Sequence, residues 1–130
     1  MKSRLHVLIT DQSPLVAPRI RELLDGYSGA IVLGEARNDA ETLLMLELTK
    51  IDVVILDVHL PVRMGLTLLH EIKARHPHIK VIVFSNYAKS LFKNYCVKLG
   101  ADYFYEKSTE FAMIPSTLNH LLNDKSLEVA

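Results

Sequence analysis

The chain has 130 residues, 49% of them hydrophobic, which suits one domain with one core, leaves too little for two, and excludes a disordered chain. Fifteen Lys and Arg balance fifteen Asp and Glu, so no net field is available to hold a nucleic acid or an anionic membrane. The single cysteine, Cys96, cannot close an internal disulfide and fits a reducing cytoplasm and a buried apolar role. No apolar h-region follows Met1 to Arg4, and no apolar stretch approaches bilayer length. A soluble, cytoplasmic protein is expected, with one domain over 1–124 and a polar tail over 125–130.

The first strand is read over Leu5–Ile9. Ser13 and Pro14 then resemble an N-cap with proline at the first helical position, opening a helix that carries Val16, Ile20, Leu23 and Leu24 and stops at Gly26. A second strand is read over Ala30–Gly34. Asn38, with Glu41 three residues on, resembles a capping box ahead of Leu43, Leu44, Leu46 and Leu48. The third strand, Asp52–Leu56, is an apolar run rich in β-branched residues, the pattern of a parallel strand covered on both faces. Leu66, Leu69 and Ile72 mark a helix that Pro77 ends. A fourth strand covers Lys80–Phe84, and Ala88, Phe92, Tyr95, Cys96 and Leu99 form a helical stripe closed by Gly100. The fifth strand is Tyr103–Tyr105. Phe111, Ile114, Leu118, Leu121 and Leu122 mark a last helix that Pro115 either delays or kinks.

Strands alternating with helices imply a parallel sheet with helices on both faces. The carboxyl ends of its strands then share one edge, where open α/β folds bind ligands. Thr10 and Asp11 follow the first strand, Asp57 the third, Ser85 the fourth and Lys107 the fifth. Asp57 has the character of an acyl-phosphate-forming nucleophile. Asp11 suits a magnesium ion, which takes hard oxygen ligands. Ser85 is a donor for a phosphoryl oxygen, and Lys107 a charge to neutralise it. Singly, each is ordinary turn or surface chemistry. Their shared placement is not.

Four segments carry a resemblance to the receiver domain of two-component response regulators, of the stand-alone chemotaxis-regulator kind: Val7-Leu8-Ile9-Thr10-Asp11; Val54-Ile55-Leu56-Asp57 with Leu60, Pro61 and Gly65; Val83-Phe84-Ser85; and Gly100-Ala101-Asp102 leading to Lys107. The resemblance covers essentially the whole chain. It implies a flavodoxin-like fold, a five-stranded parallel sheet of order 2-1-3-4-5. It also implies transfer of a phosphoryl group from a histidine kinase or phosphotransfer protein to Asp57. Ser85 and Lys107 would bind the phosphoryl group. Mg2+ would be held by Asp11, Asp57 and the backbone carbonyl of His59. Phe104 takes the place of a rotameric switch residue working with Ser85.

One position departs from that pattern. Receivers usually carry two acids after the first strand, and Thr10 replaces one of them. The loss of a negative charge should weaken Mg2+ binding and ease repulsion at Asp57. The expected function is that of a non-enzymatic signalling switch, a monomer or weak homodimer, acting on another protein and on neither nucleic acid nor membrane. Two alternatives stay open: a degenerate receiver that binds partners without phosphorylation, and the receiver fragment of a longer DNA-binding regulator. A turnover enzyme lacks support, since no Gly-rich phosphate loop follows the first strand and no serine–histidine elbow occurs.

Overall fold

In the computed structural model every residue of the strand Val53–Val58 is buried, which makes it the centre of the sheet. The structure describes residues 4–11, 15–58, 62–87 and 89–124, with the side chains of 62–64 left aside. In chain order the elements are β1 (Leu5–Thr10), α1 (Val16–Leu23), β2 (Ala30–Ala36), α2 (Asp39–Leu48), β3 (Val53–Val58), α3 (Val62–Arg75), β4 (Lys80–Ser85), α4 (Ser90–Lys98), β5 (Tyr103–Glu106), a 3-10 turn (Phe111–Met113) and α5 (Ile114–Leu122). The five strands lie in the order β2-β1-β3-β4-β5, all parallel. This is the expected α/β flavodoxin-like arrangement. Among the described residues no helix is long and apolar enough to cross a membrane.

Side chains of a strand alternate between faces, and the two faces build two cores. Val7, Ile9, Val53, Ile55, Ile82 and Phe84 meet Val16 and Ile20 of α1 and Ile114, Leu118 and Leu121 of α5. Leu8, Val54, Leu56, Val81, Val83 and Phe104 meet Leu46 of α2, Leu69 and Ile72 of α3, and Phe92 and Cys96 of α4. Each such fully buried aliphatic side chain contributes about 1.5–3 kcal/mol. A single slip of register would turn these rows inside out, so the pattern also fixes the pairing.

The strands run longer than the apolar runs suggest. β1 includes Thr10, β2 reaches Ala36, β3 is shifted to Val53–Val58, β4 includes Ser85 and β5 includes Glu106. Asp57 and Ser85 therefore sit inside the last rungs of their strands, not after them. The ladder continues because each has a strand neighbour: Asp57 pairs with Phe84, and Val58 with Ser85.

Helix ends follow the expected chemistry in most places. Asn38 Oδ1 accepts the Glu41 N–H at 2.8 Å, and Glu41 Oε1 accepts the Arg37 N–H at 2.8 Å, a reciprocal cap shifted by one residue from the standard box. Gly26 (φ 81°) and Gly100 (φ 111°) stop α1 and α4 in a conformation that a side chain would strain. Pro115 sits in the first turn of α5, so the helix starts late and is not kinked. Ser13 and Pro14 lie outside the described residues, as do Leu60, Pro61 and Ala88.

Two stripes are narrower than their sequences imply. Tyr95, expected with the buried stripe of α4, is 53% exposed. On α2, Leu44 and Leu48 face outward, and Thr42 and Leu46 are the buried positions.

Candidate functional site

Asp57 is the fifth residue of β3 and only 4% exposed. A carboxylate at that depth needs a cation or donors. Lys107 supplies the cation: its Nζ contacts Asp57 Oδ1 in an ion pair whose lysine side chain is 15% exposed. The Lys107 N–H donates to the Ser85 carbonyl at 3.1 Å. That bond extends the β4–β5 ladder one residue past β5 and aims the lysine back across the sheet edge.

Asp11 directly follows β1, and its N–H donates to the Ala36 carbonyl at 2.9 Å. Its carboxylate Oδ2 accepts the N–H groups of Val16 at 3.0 Å and Ala17 at 3.1 Å. Two donors that a helix start leaves without intrahelical partners are thereby satisfied, and the positive end of the α1 dipole faces a negative group. Asp11 is thus also the cap of α1. The sequence hides this second role because the capping residue lies five positions before the first N–H it satisfies.

Pleat parity divides the strand-end residues. Asp11, Asp57 and Lys107 continue the row that faces α1 and α5. Thr10 and Ser85 continue the row that faces α2, α3 and α4. Thr10 is 3% exposed, and its hydroxyl meets that of Thr42 at 2.9 Å. The Thr42 hydroxyl in turn donates to the Asn38 carbonyl at 2.8 Å. Ser85 is 1% exposed, and its Oγ accepts the Tyr87 N–H at 3.0 Å.

Phe104 lies in β5 on the same row as Ser85 and is buried against α4. Its ring meets Phe92 edge-on with centroids 5.7 Å apart, and Phe92 meets Tyr87 edge-on at 5.2 Å. Backbone and rings thus run continuously from Ser85 through Tyr87 and Phe92 to Phe104. The structure brings Asp57 and Lys107 into contact and sets Asp11 just past the end of the neighbouring strand. His59, expected to offer a backbone carbonyl, lies outside the described residues.

The Arg19 guanidinium stands 4.2 Å from the centroid of Phe111. Nothing in the spacing of α1 marks it, since an arginine on the exposed face of a helix is ordinary.

The donor set suits a small, hard divalent cation. Asp11 and Asp57 are both buried, at the carboxyl ends of adjacent strands on one sheet edge. Two carboxylates match an ion that keeps several of its waters. Among the described residues no group of three His, Cys, Asp or Glu is placed to hold a metal ion. A buried carboxylate, a lysine on it and a hydroxyl on the adjoining strand are groups of the kind that phosphoryl transfer to a carboxylate requires.

Comparison with known proteins agrees with this geometry. The model of the response regulator receiver domain matches residues 7–119. A protein-glutamate methylesterase/protein-glutamine glutaminase of Treponema pallidum is 36% identical over 105 residues, 79% of this chain and 26% of that protein. The Fimbriae Z protein of Salmonella typhimurium is 28% identical over 120 residues, 92% of this chain and 57% of that protein. The chain thus spans about a quarter to about half of these curated relatives. Among solved structures, the isolated REC domain of RcsB from Salmonella enterica serovar Typhimurium superposes with a TM-score of 0.82 at 24% identity, covering 91% of this chain and 88% of that one. With the fold, the strand-end residues and the family match in agreement, the chain belongs to the response regulator receiver domain family.

Proposed function

We propose that Asp57 accepts a phosphoryl group from a histidine kinase or phosphotransfer protein, and that the resulting acyl phosphate changes the surface this protein offers to a partner. The observation that carries the reading is the buried Asp57–Lys107 contact at the carboxyl edge of the sheet. A carboxylate oxygen of Asp57 attacks phosphorus and the bond to the donor breaks. Lys107, already beside that oxygen, follows the new charge, and the Ser85 hydroxyl donates to a phosphoryl oxygen. Asp11 and Asp57 would hold Mg2+, with the His59 carbonyl as a third ligand. When bound, the ion supplies positive charge against the phosphoryl oxygens. Thr10 brings no charge to that set, so its Mg2+ affinity is below that of a receiver with two acids.

A shift of Ser85 toward a phosphoryl group pulls on the Tyr87 N–H and, through Tyr87, on Phe92 and Phe104. The surface above them carries Leu91, 83% exposed, and Tyr95, 53% exposed. This face of α4, β5 and α5 is the proposed partner surface. Tyr103 and Tyr105 contribute less to it, because both are half-buried against α5 and the Tyr105 hydroxyl is bonded to that of Thr117 at 2.6 Å.

Intact-mass measurement with a phosphoryl donor and Mg2+ tests the reading: one phosphate on the wild type and none on Asp57→Asn is expected. Equal labelling of the variant places the site elsewhere. No labelling of the wild type favours a second reading, a phosphorylation-independent binding module, which Thr10 motivates. The chain spans only part of longer relatives, one of them a transcriptional regulatory protein, which supports a third reading, the receiver portion of a longer, DNA-binding regulator.

A further inference from the structure

A cleft of about 220 Å³ opens between the start of α1 and the turns that follow β4 and β5. Leu15, Arg19, Asn86, Lys107, Ser108 and Phe111 line it. Lys107 belongs to both places, since the lysine in contact with Asp57 also borders the cleft. The second cation, Arg19, is held firmly. Its guanidinium lies 4.2 Å from the centroid of Phe111, and Phe111 stacks on Phe84 at 4.9 Å and 18°. Phe84 is fully buried. The guanidinium therefore rests on an aromatic column rooted in the core.

Stacking occupies the face of a guanidinium and leaves its N–H edge available. The contact that positions Arg19 is the one with the Phe111 ring. The planar anion that matches the N–H edge is a carboxylate. Leu15, 75% exposed, and the Phe111 ring add an apolar wall, and the Asn86 and Ser108 side chains add polar groups. The volume suits a short organic acid and is too small for a peptide segment.

We propose that this cleft is a leaving-group subsite for small acyl phosphates, with Arg19 gripping the departing carboxylate. The proposal rests on Asp57 being the phosphoryl acceptor. In the step an Asp57 oxygen forms a bond to phosphorus, and the bond from phosphorus to the acyl oxygen breaks. The electron pair leaves with the carboxylate, and no proton is consumed. Arg19 takes up the negative charge that this oxygen acquires, while Lys107 stays with the phosphoryl group.

The test compares two donors on the full chain: acetyl phosphate, which releases acetate, and phosphoramidate, which releases ammonia. Labelling rates are read by intact mass. In Arg19→Gln the ratio of the acetyl phosphate rate to the phosphoramidate rate falls about tenfold, the loss of one charge-assisted hydrogen bond. Leu15→Glu, an exposed change that sets a negative charge on the rim, lowers the same ratio. Arg21→Gln, on the same helix but paired with Glu35 at 2.8 Å, leaves it unchanged. A separate titration with sodium acetate against sodium chloride, followed by amide shifts, gives saturable shifts at Asn86 and Ser108 in the wild type and none in Arg19→Gln. An unchanged ratio in Arg19→Gln, or acetate shifts that persist in it, overturns the proposal. If neither donor labels the wild type, the phosphoacceptor reading fails, and the acetate titration alone decides whether the cleft is a carboxylate site.

Discussion

The hydroxyl of Thr10 lies 2.9 Å from that of Thr42, which ties the end of β1 to the first turns of α2 on the face of the sheet opposite Asp11. Thr10, which the sequence marks as the atypical position of the site, is therefore occupied in a structural bond. Thr10→Val removes the bond while Thr42 keeps its own to Asn38. The expected loss is about 1 kcal/mol by urea denaturation.

Thr10→Asp should act in two directions. A carboxylate at a position 3% exposed lowers stability without metal by about 1–3 kcal/mol, and the added charge strengthens Mg2+ binding. Thermal melts separate the two: the variant melts below the wild type in EDTA and regains more than the wild type when Mg2+ is added. An equal deficit in both buffers would mean that position 10 lies beyond the reach of the ion.

Lys107→Met removes the ammonium partner of a carboxylate whose side chain is wholly buried. A cost of about 3 kcal/mol is expected at neutral pH, the low end for breaking a buried pair, because the lysine keeps some access to water. Asp57→Asn removes the charge instead, and Lys107 can turn outward, so about 1 kcal/mol or less is lost. The double variant should be more stable than Lys107→Met alone. Additive losses would show that the contact carries no coupling.

Gly65 sits in α3 where an added Cβ would lie 2.7 Å and 2.9 Å from the two methyl carbons of Val58. Val58 is buried and follows Asp57, and a β-branched side chain yields poorly. Gly65→Ala gains helix propensity of about 1 kcal/mol but overpacks by about 1–3 kcal/mol, for a net loss. Val58→Ala in the same chain should restore part of it. If Gly65→Ala melts above the wild type, α3 is not pinned against β3 at this point.

Burial pushes the Cys96 thiol up from 9.0 to about 11. Below 9.0 the thiol is neutral in both states and contributes no pH dependence. Between 9.0 and about 11 the unfolded chain ionises first, so stability falls as pH rises through that window. The wild type should lose stability there faster than Cys96→Ala. At pH 8 the native thiol should react with a disulfide reagent only as fast as the fold opens.

The strand centres and their order were legible because parallel strands covered on both faces leave continuous apolar runs. Strand ends were not. Thr10, Asp57 and Ser85 look like turn residues, yet the ladder continues through them because neighbouring strands supply their backbone partners. Helical spacing places Tyr95 beside Phe92 on α4, but the band that packs against β5 is narrower than that stripe and leaves Tyr95 exposed. At the site, the residue types and their common edge were readable. Which face each side chain takes follows from counting pleats between Leu8 and Thr10, or between Ile55 and Asp57, once the strands are known to extend that far. The capping by Asp11 and the arginine on Phe111 depend on how loops return, which no local pattern records.

The layer that packs α1 is completed only by α5, and the Tyr27–Asn119 bond joins residues 92 positions apart. A ribosome releasing this chain therefore exposes β1, β3 and the apolar side of α1 long before Ile114, Leu118 and Leu121 emerge to cover them. The opposite layer, built by α2, α3 and α4, closes from neighbouring segments while synthesis continues. Within this fold the last helix thus seals a layer begun by the first strand, and nascent chains stalled before α5 present a greasy flank suited to chaperones.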